Sequence, residues 1–192
     1  VQASNPDAVE YNAEEANLWK VEVSLPMGNY RNQIFVDGEA MLPSRYPNVA
    51  KEDAYYRPNW LTYVFDGDKA SVGGWSTPTG KLHDPELDQP AGTWDGAAIV
   101  GMDNREWDLS GAEVVSSTPG WLELTNISFY ELGPTGYASG SDFPYYIQNA
   151  MAALDAPYEW FYNGNDETLY LQLPNGMNPN DHDVRYKARE WG

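Results

Sequence analysis

Asp142-Phe-Pro-Tyr-Tyr-Ile-Gln-Asn-Ala-Met-Ala-Ala-Leu-Asp-Ala-Pro157 runs directly into Tyr158-Glu-Trp-Phe-Tyr-Asn-Gly-Asn-Asp-Glu-Thr-Leu-Tyr-Leu-Gln-Leu-Pro174. In the first half, Ile147, Ala150, Met151 and Leu154 are spaced as the apolar stripe of a helix, and Ala150 to Leu154 are good helix formers. This spacing predicts one short α-helix near residues 145–155. Pro157 stops it, because a residue before proline is pushed out of the α region. The second half predicts a β-hairpin. Trp160-Phe-Tyr and Thr168-Leu-Tyr-Leu-Gln-Leu are aromatic and branched runs, and Asn163-Gly-Asn-Asp-Glu between them is a dense turn cluster. Alternation puts Leu169, Leu171 and Leu173 on one face.

Working outward, the same alternation recurs. Leu18 to Leu25 reads as a half-buried strand with Trp19, Val21, Val23 and Leu25 inward. Gln33 to Val36 is a second strand, Asp37-Gly38 a tight turn, and Glu39 to Pro43 a third strand. Ala97 to Val100, Ala112 to Val115 and Trp121 to Thr125 are further short strands between turn signals, the spacing of an all-β sandwich or barrel. Residues 49–93 are loop-rich, and loops on a β scaffold are where binding usually resides. No internal repeat of solenoid length is present. The expected fold is an all-β, sandwich-like single domain over residues 1–192, with one short α-helix in the C-terminal third.

Composition narrows the function. The chain has 192 residues, 42% hydrophobic and 14% aromatic, which is enough apolar surface for a real core. Its net charge of −18 argues against nucleic acid or an anionic membrane as partner. Such acidity suits work outside cells in salty water, where screening reduces self-repulsion. There is no cysteine, so disulfide, thiolate-metal and cysteine-nucleophile chemistry are excluded. The opening Val1-Gln-Ala-Ser is what a mature or excised piece of a larger protein would show.

Two stretches carry a resemblance. Tyr145, Tyr146, Asn149, Leu154, Asp155, Pro157, Glu159, Trp160, Thr168, Leu169, Tyr170, Pro174 and Gly176 match a pattern found in secreted right-handed parallel β-helix proteins, many of which degrade polysaccharides. Asn32 to Glu39 and Arg45-Tyr-Pro-Asn48 are similar to a second pattern of those chains, with Ser44 in place of the usual alanine. The pattern's glycine after Pro157 is here Tyr158, which is strained if that position needs positive φ. The resemblance implies the non-repetitive domain carried near the N-terminus of such proteins, without the rungs that hold their catalytic residues. It also implies a secreted protein with a catalytic domain in the same polypeptide.

Eight tryptophans and fourteen tyrosines exceed what a core of this size needs. Surplus aromatics on a surface suit carbohydrate, since a sugar's C–H face stacks on an indole or phenol. The expected ligand-binding residues are Tyr55, Tyr56, Arg57 and Trp60, with Trp75 and Trp107 in polar loops. Arg45 and Lys51 beside Tyr55 suggest a basic aromatic patch for acidic sugars, while the overall acidity favours neutral ones. Trp19, Trp94, Trp121 and Trp160 are expected in the core. Asp155 and Glu159 read best as a helix-end and hairpin lock rather than a catalytic pair, and no serine-nucleophile or phosphate-loop motif is present. His83 and His182 make no ligand spacing, and His182 reads as a solvated loop residue. No cofactor is expected. A structural calcium is the exception, with Asp66-Gly-Asp68 and Asn163 to Glu167 as its oxygen sources.

Overall fold

The computed structural model describes residues 9–10, 17–26, 31–50, 53, 61–63, 79–102, 109–126 and 143–188. The chain forms two compact units, Val1–Tyr55 with Ala153–Gly192, and Tyr56–Ala152. Both are built from β-strands, and the fold is all-β and sandwich-like. Among the described residues no helix is long and apolar enough to cross a membrane.

The first unit holds β1 (Val9–Glu10), β2 (Leu18–Glu22), β3 (Ile34–Val36), β4 (Glu39–Ala40), β5 (Leu42–Pro43) and β6 (Arg45–Tyr46). The second holds β7 (Leu61–Tyr63), β8 (Gly80–His83), β9 (Ala98–Met102), β10 (Leu109–Thr118), β11 (Trp121–Thr125) and β12 (Phe143–Gln148). The chain then returns to the first unit with β13 (Glu159–Asn163), β14 (Thr168–Gln172) and β15 (Val184–Tyr186).

In the first unit, one sheet runs β1-β2-β14-β13-β5 and a second runs β15-β3-β4. Ile34 and Val36 from the small sheet pack with Trp160, Tyr162, Leu169 and Leu171 from the large one. Asp37 (φ 52) and Gly38 (φ 84) make the tight turn between β3 and β4, the two-residue geometry that needs positive φ at both centres. The single strand expected over residues 39–43 divides here. Met41 turns into the core, and the chain crosses to the large sheet, where β5 runs parallel to β13. The β13–β14 hairpin forms as expected, with Trp160 opposite Leu171 and Leu171 opposite Trp19.

In the second unit the antiparallel order is β12-β9-β10-β11-β8, with β7 also on β12. Leu82, Ile99, Val114, Leu122, Leu124 and Ile147 are among its buried strand residues. A bulge between Val114 and Ser116 leaves Val115 57% exposed.

The expected α-helix near 145–155 does not form. Phe143–Gln148 is a strand paired with β7 and β9, and only Met151–Ala153 makes a 3-10 turn. Aromatic and β-branched residues dominate positions 143–147, and Tyr145 and Ile147 alternate inward as a strand requires. Asn149 then takes φ 56, and the alanines that follow are too few to nucleate a helix.

Candidate functional site: an outward aromatic strand face

Several of the motif residues meet in the first unit. Ser44 donates its backbone N–H to the Trp160 carbonyl (2.8 Å), and Asn48 Nδ2 donates to Asp155 Oδ1 (2.8 Å). The Glu159 side chain is buried and faces the backbone N–H groups of Ala156, Asp155 and Arg45. Burial pushes its carboxyl up to about 8, and the Asp155 charge adds to this, while those N–H groups pull the other way. At neutral pH Glu159 is largely a neutral acid clamped inside a turn. The hairpin-lock role expected for Asp155 and Glu159 matches this geometry. Tyr158 has φ 67, so the position does require a left-handed residue and a tyrosine fills it.

Arg45 is buried at 5% exposure and so lies outside any surface patch. That corrects its placement beside the aromatic cluster. The other expected ligand residues, Tyr55, Tyr56, Arg57, Trp60, Trp75 and Trp107, lie outside the described residues, as do Lys51 and the Asp66–Asp68 oxygens.

Side-chain oxygens of Asn163, Asp166 and Glu167 accept hydrogen bonds. Asn163 Oδ1 accepts from the Asn165 N–H, Asp166 Oδ1 from the Thr168 N–H, and Glu167 Oε1 from the Ser24 hydroxyl. Among the described residues no three acids or histidines converge as metal ligands. His182, expected in a solvated loop, is only partly exposed, with Nδ1 2.7 Å from Asp37 Oδ2. The Asp183 N–H and His182 together hold the Asp37 carboxyl below its ordinary range.

Trp94 and Trp160 are buried and Trp19 packs against the core of the first unit, as expected. Trp121 is partly buried. Leu122 and Leu124 point inward from β11, so alternation turns Trp121, Glu123 and Thr125 outward. Opposite Trp121 on β8 is His83, and the two rings stack at 4.3 Å between centroids and 25° between planes. Two residues along, Glu123 stands opposite Lys81 on one side and Ser116 on the other. Lys81 Nζ donates to Glu123 Oε1 (2.6 Å) and the Ser116 hydroxyl donates to Oε2 (3.1 Å), which holds the Glu123 carboxyl below its ordinary range.

Below this face the frame is stiff. The Tyr145 hydroxyl donates to buried Asp84 (2.6 Å), the residue after His83, and the Asp84 N–H reaches the Gly120 carbonyl beside Trp121 (3.0 Å). Gly120, at φ 79, closes the turn from β10. Planar rings with charged and hydroxyl groups in adjacent rows can stack on a sugar and meet its hydroxyls. The signal was present in the sequence, since Lys81-Leu-His83 and Trp121-Leu-Glu-Leu-Thr125 both alternate around inward leucines. A second aromatic pair lies on the first unit, where Phe161 and Tyr170 stack across β13 and β14 at 5.9 Å, with Lys20 next in register.

No protein-family model matches the chain, and no curated protein does. Its fold is similar to that of a solved glycoside hydrolase, with a TM-score of 0.55 and 14% sequence identity. The likeness covers 92% of this chain and 30% of that one, so the chain spans less than a third of that protein's length.

Proposed function

We propose that this chain is a non-catalytic carbohydrate-binding module of a secreted polysaccharide-degrading protein, related to the non-repetitive domain of β-helix enzymes. The observation that carries the proposal is the Trp121–His83 stack on an outward strand face, with Glu123, Lys81 and Ser116 in the next row. The fold likeness to a glycoside hydrolase supports a carbohydrate setting. The carboxylates of Glu159, Asp155 and Asp84 are engaged as acceptors that hold turns and strands, which favours binding over catalysis. Tyr55, Tyr56, Arg57, Trp60, Trp75 and Trp107 are proposed as further glycan contacts.

A second reading is an accessory domain that packs on the catalytic domain of the same polypeptide and binds nothing alone. The likeness to only 30% of a longer hydrolase favours it. Pull-down of the chain on a panel of insoluble polysaccharides separates the two. Retention lost in Trp121→Ala supports the face described above, and retention lost only in Trp60→Ala moves the site to residues 55–60. No retention on any polysaccharide overturns the binding module and leaves the accessory domain.

A further inference from the structure

The charges on the Trp121 face are already committed, and this bears on which glycan fits. Lys81 Nζ is 2.6 Å from Glu123 Oε1, and both side chains are about half exposed (55% and 50%). On the next β10–β11 pairing, Glu113 stands opposite Thr125 and accepts from Asn126 Nδ2 (3.0 Å). The ladder therefore presents two carboxylates against one ammonium, and that ammonium is neutralised by its neighbour. The chain as a whole carries −18. A uronate or sulfate arriving here would meet like charge locally and at long range, with no uncommitted cation among the described residues of the ladder to fork it.

An uncharged sugar asks for something different: an aromatic plane for its C–H face and hydrogen-bond partners for its hydroxyls. Trp121, partly buried with one ring face against His83, offers the remaining surface of its indole. Glu123 offers acceptor lone pairs, Lys81 retains donors beyond the one given to Glu123, and Thr118, opposite Trp121 on β10, adds a hydroxyl. The two rows are two residues apart along the strands, about 7 Å. A ring stacked on Trp121 can thus present its hydroxyls to Glu123 and Lys81.

We infer that the β8–β11–β10 face selects an uncharged glycan chain and rejects uronate-bearing and sulfated ones. This rests on the proposal that the face binds glycan, and the two fail differently. The test is native-gel retardation of the chain in gels containing soluble neutral polysaccharides (xylan, galactomannan, mixed-linkage glucan) or anionic ones (polygalacturonate, alginate, carrageenan), at about 0.1 M salt.

Retardation is expected with at least one neutral polymer, weakened about tenfold or more in Trp121→Ala and largely kept in Trp121→Phe. Glu123→Gln, which leaves Lys81 without its carboxylate, is expected to gain retardation by polygalacturonate. An anionic polymer that retards the wild type and loses its hold in Trp121→Ala overturns the selectivity while upholding glycan binding at this face. The same holds if Glu123→Gln gains nothing from polygalacturonate. Absence of any retardation, or retardation untouched by both Trp121 variants, overturns the binding proposal itself.

Discussion

Glu159 and Glu123 are both strand carboxylates that accept hydrogen bonds, in opposite circumstances. Glu159 is enclosed among backbone N–H groups with its carboxyl pushed up to about 8, whereas Glu123 stands half exposed beside Lys81 with its carboxyl held down. The tryptophans nearest them differ in the same way. Trp160 is 1% exposed in a core, and Trp121 faces outward on a ladder. A carboxylate beside an aromatic is thus a folding device in one unit and part of a partly exposed strand face in the other. What separates them is whether water reaches the pair.

The largest effect expected from this contrast is on Trp160. Trp160→Ala should cost about 3–5 kcal/mol in urea denaturation, because a buried indole leaves both lost transfer energy and a cavity. Next is the pH dependence that Glu159 imposes. Its folded value of about 8 lies above the ordinary 4.5. Between these values the unfolded chain ionises while the folded chain keeps its proton, so the folded state binds more protons. The stability this group contributes is complete below pH 4.5 and falls as pH rises toward 8, with a slope approaching about 1.4 kcal/mol per unit. Glu159→Gln should flatten that part of the curve. A wild-type curve no steeper than the variant's between pH 5 and 8 would place Glu159 in water with Glu123.

Smaller effects sharpen the same line. Tyr145→Phe removes the hydroxyl that Asp84 accepts, and should cost about 1–3 kcal/mol for a buried carboxylate left short of a donor. Tyr158→Gly should stabilise the chain by about 1 kcal/mol, since glycine adopts φ 67 without the Cβ penalty. Trp121→Ala should lower the unfolding free energy in urea denaturation by less than about 1 kcal/mol while reducing glycan binding. If it costs as much as Trp160→Ala, the outward face is a packed interface and the contrast collapses.

Much of this was legible in sequence, and the limits have physical causes. The β13–β14 hairpin and the Asp37-Gly38 turn followed from alternation and turn chemistry, which act within a few residues, and the positive φ at residue 158 from the glycine of the resembled pattern. Residues 145–155 did not follow, because Ile147, Ala150, Met151 and Leu154 fit helical spacing while Tyr145 and Ile147 fit strand spacing. Pairing with β9, which is remote in sequence, decided between them. Trp121 reads as core from its place on a strand, although Leu122 and Leu124 occupy the inward positions of that strand and leave Trp121 on the other face. The role of Arg45 was hidden for a similar reason. A lone arginine reads as surface until its strand is known to run beside the turn that holds Glu159.

The placement of Tyr56–Ala152 inside the sequence of the other unit has a kinetic consequence. β2 pairs with β14, and β5 with β13, across the whole of that insertion. On the ribosome, β2 and β5 must therefore wait for β14 and β13 to emerge. The inserted unit is free to fold in the meantime, since its strands pair among themselves. Folding it first shortens the loop that the outer sheet has to close and so lowers the entropic cost of closure. The insertion thereby acts as an internal clamp on the order of assembly, and the outer sandwich completes last.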